Sequence, residues 1–505
     1  MPHSSCIICG QDRFGAQKSN VTCAPWRTKT AAAPCPNCIQ TKTLDEHIEE
    51  TRAYLRHLEA HRAALRPGAN TFHDPFITHF PTELASKILS FCVEDEREFK
   101  RRTPLTLSAV SKRWRAIAHS TPSLWTTIRL RLLFDAQENQ ALYKEMLLHW
   151  LSCSSMELLS IYLDVEYCRR DEVSKVQFCH SVIELLNTHC HRWGKLSVDT
   201  PLHLISLLRG DFDGAPPLYY LSIGGEEYDE GEDEDEDTQT WTFDLGTSLP
   251  SPHTVSIHQR GFGKVRINWR NVTTASIWFT RLHDFLILLA AAPQLRECRI
   301  VLPDEFDETT ELNPTDLITH RNLLKLDIEV YSLSYQRAEL FDILRAVPTL
   351  ERLGITGASI FDNFFELLAA DEGDIEERRF LPSLTEFCQL RPLWADSFSW
   401  REISKAVEAR ADVYRAKCGL PVLNRFYWDT IFHETEGMYY IDERSLQIFE
   451  RLLSNGADIK LSNNWRKRGR PDDMIVYSRA YHEGNKRRSA RSDVSDLYPF
   501  DPFLT

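Results

Sequence analysis

At 505 residues, 42% of them hydrophobic and 26% charged, the chain is long enough for two or three globular domains. Its longest apolar run, Phe285 to Ala292, falls far below the roughly 20 residues that span a bilayer. The opening MPHSSCIICG lacks the basic-then-apolar order of a secretory signal. The net charge of −14 is local: ten acidic residues fall between Glu226 and Asp237, and setting aside that run's −10 leaves −4. A block of like charges repels itself, so 226–237 is expected to be a solvated, disordered insertion. Thirteen cysteines, odd in number and mostly single, suit free thiols in a reducing compartment.

Residues 1–43 form a leader rich in Cys, Pro, Thr and Ser with no periodicity. Cys6 and Cys9 make one C-x-x-C pair, and Cys35 and Cys38 another. Four thiolates could hold one tetrahedral zinc, and such an ion can fold a segment too small for a core. The alternative is a loose leader of free thiols and no cofactor, since the 25 residues between the pairs exceed the usual ribbon spacing. From Leu44 the apolar residues Ile48, Leu55, Leu58 and Leu65 follow steps of four and three, with Thr51 and Arg62 in the same stripe. The spacing predicts a helix over 44–66, roughly 33 Å long at 1.5 Å per residue, closed by Pro67-Gly68. The stripe serves either a coiled coil with a second copy or packing on the protein's own body or on one partner helix.

The stretch from Phe80 to Leu130 follows, within a module set at 76–130. Pro81 suits a helix start, and Leu84, Ile88 and Leu89 share one helical face. Leu107, Val110, Trp114 and Ile117 predict a second helix, and Pro122 opens a third short one that holds Leu124 and Trp125. Some fifty residues of this kind cannot bury their own apolar surface well, so the module needs a partner. At Pro81, Glu83, Leu84, Ile88, Leu89, Leu107, Val110, Trp114, Leu124 and Trp125 the chain resembles the F-box family, in particular its fungal branch. It departs at Phe80, where leucine is usual, and at Ser111, where cysteine is usual. The resemblance implies a helical motif that docks on the Skp adaptor of cullin-based ubiquitin ligases. It marks Pro81, Leu84, Ile88, Leu89, Leu107, Val110, Trp114, Leu124 and Trp125 as the adaptor-binding set.

Beyond the module, short β-like runs alternate with helical ones. Strands are predicted at Leu158–Leu163, Lys195–Val198, Tyr219–Ile223, Val255–His258, Ser276–Phe279, Leu295–Val301, Leu324–Ile328, Leu350–Ile355 and Leu384–Phe387. Clear helices are predicted at His283 to Ala292, Arg337 to Val347 and Phe361 to Ala370. A phrase recurs in which a helix ends, then Pro-x-Leu leads into a strand: AAAPQLRECRIVL, RAVPTLERLGIT and FLPSLTEF. The expected fold class is therefore α/β or α+β: a helical module, then an irregular leucine-rich-repeat-like β/α solenoid over 150–420. A doubly wound sheet is the alternative. Trp241, Trp269, Trp278 and Trp400 lie beside strands and are candidate partner contacts or core. Residues 421–462 are expected to cap the solenoid. The basic stretch 463–505 is expected to be a flexible tail, with Arg466, Lys467, Arg468, Lys486, Arg487 and Arg488 as a candidate nuclear-import signal.

No catalytic pattern is present: no G-x-S-x-G, Walker loop, H-E-x-x-H or G-x-G-x-x-G. The expected function is that of a non-enzymatic substrate receptor, cytoplasmic or nuclear. It would hold the Skp adaptor and cullin complex through the helical module and a target protein through the solenoid. The alternatives are a non-degradative interaction scaffold and a zinc-dependent nucleic-acid binder. Against the last, no base-reading fold accompanies the basic tail.

Overall fold

A computed structural model describes residues 36–73, 79–92, 103–132, 140–165, 173–210, 214–225, 241–246, 249–258, 262–278, 282–302, 319–330, 337–357, 362–370, 380–390, 399–411, 421–430, 440–463 and 473–489. The acidic run 226–237, Cys6, Cys9 and Cys35, and the basic Arg466, Lys467 and Arg468 lie outside these residues. The chain divides into two compact units, Met1–Ser120 and Thr121–Thr505.

The first unit is helical. α1 spans Pro36–His73, 38 residues or about 57 Å. It therefore starts inside the expected leader, with Cys38 in its first turn, and it runs through Pro67-Gly68 instead of ending there. Proline removes one i→i−4 hydrogen bond, but turns already formed on both sides carry the helix past it. α2 (Thr82–Phe91) follows Pro81, whose extended backbone caps the helix and whose carbonyl accepts from the Ala85 N–H at 3.0 Å. The single helix expected over Leu107 to Ile117 is two: α3 (Thr103–Val110) and α4 (Lys112–His119). Ser111 is the reason. Its backbone is extended, and its hydroxyl accepts from the Trp114 N–H at 3.2 Å, the N-cap arrangement for a free helix start. The Arg115 Nε donates to the Ser108 carbonyl at 3.0 Å and so ties α4 back to α3.

The second unit begins with a 3-10 turn at Pro122–Trp125 and is built on strands. In chain order these are β1 (Thr127–Leu132), α5 (Gln140–Cys153), β2 (Leu159–Val165), α6 (Val173–Asn187), β3 (Trp193–Asp199), α7 (Leu202–Ile205), β4 (Tyr220–Gly224), β5 (Phe243–Asp244), β6 (Thr254–Ile257), β7 (Val265–Arg266) and β8 (Thr274–Trp278). Then come α8 (Leu282–Ala291), β9 (Glu297–Leu302), β10 (Lys325–Val330), α9 (Arg337–Arg345), β11 (Arg352–Thr356), α10 (Asp362–Ala369) and β12 (Glu386–Leu390). The last are α11 (Trp400–Ala411), β13 (Arg425–Thr430), α12 (Glu443–Ser454), β14 (Asp458–Asn463) and α13 (Met474–Ser489). Twelve strands form one parallel sheet in the order β1-β2-β3-β4-β6-β8-β9-β10-β11-β12-β13-β14, and β5 pairs with β7 apart from it. The strand order never reverses, so the sheet has no switch point of the doubly wound kind.

Register lines up the apolar side chains. One buried row crosses the whole sheet: Ile128, Ile161, Leu196, Leu221, Val255, Ala275, Cys298, Leu326, Leu353, Phe387, Phe426, Ile459. A second row two residues on runs from Leu130 to Leu461 and is apolar except at Gln389. The Pro-x-Leu phrase is the device that repeats the register. In each copy a turn closes from the residue before the proline to the leucine: Leu295 N–H to Ala292 O at 3.0 Å, Leu350 to Val347 at 3.2 Å, Leu384 to Leu381 at 3.3 Å. Each leucine is buried. A fourth copy without proline is His320-Arg321-Asn322-Leu323. Here the buried imidazole accepts the Leu323 N–H at 3.1 Å, and the Asn322 side chain donates to the Pro293 carbonyl at 2.8 Å.

The sheet exceeds its expected ends. β1 lies within the stretch expected to be only helical, and β13 and β14 lie within the expected cap. The basic tail contains α13, which is not free. Met474, Ile475 and Ser478 are buried. The Ile441 N–H donates to Ser478 Oγ at 3.1 Å, Tyr440 stacks on Tyr481 at 3.5 Å, and Arg479 pairs with Glu450 at 2.7 Å. Arg410, also buried, donates to the carbonyls of Leu368, Leu381 and Phe380 at 2.7, 3.1 and 2.5 Å and joins α10, α11 and the turn before β12.

If the turn leucines set the register, Leu350→Ala should lower stability by about 3 kcal/mol, the usual cost of such a buried truncation. Leu142→Ala, at a residue 63% exposed, should be nearly neutral. Urea unfolding of the two variants beside the parent protein checks both.

Candidate functional site

α2 separates its apolar residues onto two sides. Ala85 and Leu89 are buried, and α2 packs on α4 through this side. Leu84 (49% exposed), Ile88 (38%) and Phe91 (59%) follow at helical spacing on the open side, with Phe80 (43%) just before the helix. Val110, at the end of α3, is 52% exposed. Large apolar side chains grouped at the surface of a short helix mark an interaction site, because burying each one against a partner gains about 1.5–3 kcal/mol.

The nine residues singled out from the sequence divide accordingly. Pro81, Leu84, Ile88 and Val110 are exposed, and Leu107 and Trp114 are half-buried. Leu89, Leu124 and Trp125 are buried, so they serve as supports and not as contact residues. Trp125 sits edge-on to Trp150 at 4.9 Å and to His149 at 5.3 Å, both on α5. Phe80 and Phe91 belong to the open side but were not in the sequence-derived set. Their signal was available in the spacing Phe80, Leu84, Ile88, Phe91.

The sheet offers a second, polar surface. Between the buried rows, register aligns Arg129, Tyr162, Ser197, Ser222, Ser256, Ser276, Arg299, Asp327, Gly354, Cys388, Tyr427 and Lys460. Charges bridge its later strands: Lys325 to Glu297 at 2.6 Å, Arg299 to Glu329 at 2.8 Å, and Arg352 to both Asp327 at 3.9 Å and Glu386 at 3.4 Å. Arg425 reaches Glu386 from the next strand at 3.4 Å. Asp327 leans across Gly354, where a Cβ would meet its Oδ1 at 2.1 Å, so a side chain there would displace the carboxylate. At the other end, the Arg129 guanidinium lies 4.0 Å over the Tyr162 ring and the Lys195 ammonium 4.6 Å over Tyr220. His258 contacts Ser256 Oγ at 2.8 Å and the Trp278 ring at 4.5 Å. Burial lowers its pKa; Asp199 opposes that shift and Arg299 adds to it. Tyr427 donates a hydrogen bond to Asp458, which raises the phenol and holds the carboxyl low.

Trp241 and Trp400 are buried and belong to the core, whereas Trp269 and Trp278 are half-buried. The six cysteines whose side chains are described form no disulfide, and burial pushes the Cys298 thiol well above its ordinary range. Of the four proposed zinc ligands only Cys38 falls in a described element, α1, so no metal geometry follows. Among the described residues no helix is long and apolar enough to cross a membrane.

Residues 77–131 match the family model described as F-box-like, and the chain thus carries an F-box-like domain over this segment. F-box domains bind Skp-type adaptors. No curated protein matches the chain.

The division of α2 has a direct test. Leu84→Ala with Ile88→Ala should leave the melting temperature within about 2 °C of the parent, because neither side chain is buried in the core. Leu89→Ala should lower it clearly, through a cavity cost of about 2–5 kcal/mol. Differential scanning calorimetry distinguishes the two.

Proposed function

We propose that this F-box-carrying chain is a non-enzymatic substrate receptor of a Skp–cullin–F-box type ubiquitin ligase. The observation that carries the reading is the open side of α2, with Phe80, Leu84, Ile88 and Phe91 presented inside the segment that matches the F-box-like family. Pro81, Val110, Leu107 and Trp114 border or support that side. Leu89 supports α2 from its buried side, while Leu124 and Trp125 are buried in the second unit.

In this reading the second unit is an irregular leucine-rich-repeat-like solenoid. Three features support it: a parallel sheet whose strands are laid down in chain order, turn leucines that recur before the strands, and carbonyls that pass from one turn to the next. The Leu324 N–H donates to Arg296 O, Glu351 to Leu324, Thr385 to Glu351, Asn424 to Thr385 and Asp458 to Asn424, all within 2.8–3.1 Å. The polar face of the sheet then receives the target protein. Ubiquitin transfer itself takes place on a ligase assembled elsewhere, and this chain contributes proximity by raising the effective concentration of target lysines. Its place of action is the cytoplasm, the nucleus or both.

Retention of a Skp adaptor by the full-length protein is the test. Truncating two contact residues at the centre of such a site costs on the order of 2 kcal/mol or more, roughly 30-fold in affinity. Leu84→Ala with Ile88→Ala should therefore release the adaptor at concentrations where the parent retains it. Equal retention by both proteins removes the adaptor role from α2. If retention is lost but no cellular protein rises in level on expressing the variant, the chain is a scaffold and not a degradation receptor.

A further inference from the structure

α1 remains to be explained. Every residue from 39 to 66 is exposed, including Leu44 (60%), Ile48 (47%), Leu55 (53%), Leu58 (42%) and Leu65 (60%). These leucines and isoleucine lie on one stripe with Thr51 and Arg62. A stripe of this kind left in water calls for a second helix, and its own order says which one.

The six stripe positions from 48 to 65 read Ile, Thr, Leu, Leu, Arg, Leu. In apolar and polar terms the order is the same in both directions. Two copies lying antiparallel place Ile48 opposite Leu65 of the second copy, Thr51 opposite Arg62, and Leu55 opposite Leu58. Every apolar residue then meets an apolar one, and the two polar positions meet each other. The Thr51 hydroxyl donates to the His47 carbonyl at 2.8 Å, so its oxygen is free to accept from the guanidinium of Arg62. A parallel pair would instead bring the two Arg62 side chains together inside the seam, and like charges there repel.

The flanking charges select the same orientation. Asp45, Arg52, Glu59 and Arg66 occupy the heptad position next to the stripe that faces its own counterpart in an antiparallel pair. The register set by the apolar residues brings Asp45 to Arg66 of the second copy and Arg52 to Glu59, each twice by symmetry. All four contacts are attractive. A parallel pair would bring His47 toward Arg52 and His61 toward Arg66, with no ion pair. Arg52 now bonds Glu49 of its own helix at 2.6 Å, an exposed pair that exchanges readily.

We propose that α1 joins two copies of this chain as an antiparallel coiled coil over residues 45–66. The inference stands on α1 alone and does not depend on the adaptor reading. It also gives the assembly an isologous, closed interface, as a twofold dimer requires.

Sedimentation of the full-length protein at micromolar concentration should show a dimer. Leu55→Asp with Leu58→Asp should yield a monomer whose circular dichroism keeps the sheet signal. Asp45→Arg alone should weaken dimerisation about tenfold, because two attractive contacts become repulsive. Adding Arg66→Asp to that variant should restore it, because the pair is only exchanged. A parent protein that sediments as a monomer overturns the proposal and leaves the stripe to a different protein's helix. A dimer indifferent to the Leu55 and Leu58 changes overturns it as well. A dimer sensitive to those changes but not rescued by the charge exchange overturns the antiparallel register.

Discussion

Each strand of the large sheet must bring its two inward side chains to the same height as those of the strand before it. Everything in the second unit follows from that constraint. A parallel sheet has evenly spaced, slanted hydrogen bonds, and a slip of one residue would turn every apolar side chain toward solvent. The short turn with a buried leucine meets the constraint by measuring the entry to the strand from the neighbouring turn. The same measurement leaves the intervening positions on the open face, where arginines, glutamates and serines come into line without further provision. The polar surface is thus a by-product of the buried rows.

The size of the core side chains changes along the sheet. Isoleucine, leucine and valine fill the first strands, Ala275 and Cys298 the middle, and Phe387, Phe426 and Trp428 the end. There the rings form a connected cluster: Phe387 stacks on Phe426 at 5.5 Å, and Trp400 reaches Trp428 at 6.1 Å and Phe449 at 6.2 Å. Large side chains at this end allow α11 and α12 to lie over the sheet and still share one core. Arg410 fits the same place by giving its donors to the backbone carbonyls of Leu368, Phe380 and Leu381.

Nine strands of the large sheet were legible in the sequence from short apolar, β-like runs, several of them entered through a turn leucine. Three were not. β1 lies in a stretch whose pattern of Leu124 and Trp125 reads as helical, although Ile128, Leu130 and Leu132 alternate with polar residues. β13 carries aromatic residues on both faces, so Phe426, Tyr427 and Trp428 mask the period of two. β14 alternates plainly, but Asn455-Gly456 before it suggests the end of the fold. The break at Ser111 was missed for a different reason: apolar spacing continues through it, and only the capping preference of serine marks the stop. The turn at His320 escaped because Arg321 stands where the other copies have proline, and the imidazole takes the leucine N–H that a carbonyl accepts elsewhere. On α2 the sequence identified the apolar set but not which members are spent on the protein's own packing. That division depends on where α4 lies.

Because the strands of the large sheet pair only with the strands that precede and follow them, contacts in the second unit lie close along the chain. Folding need not wait for distant segments to meet, and loop-closure entropy stays small at every step. A nascent chain can dock each strand on the one already placed as it leaves the ribosome. The cost falls at the growing end, where an unpaired parallel edge with a buried row behind it stands open to other chains. α13 is synthesised after β14 and lies against it, where Ser462 pairs with Asp473 and Met474 and Ile475 enter the core. The basic C-terminal segment is thereby a seal: until it is made, the final edge is available for misassembly, and a chain shortened before Met474 would keep that hazard for its lifetime.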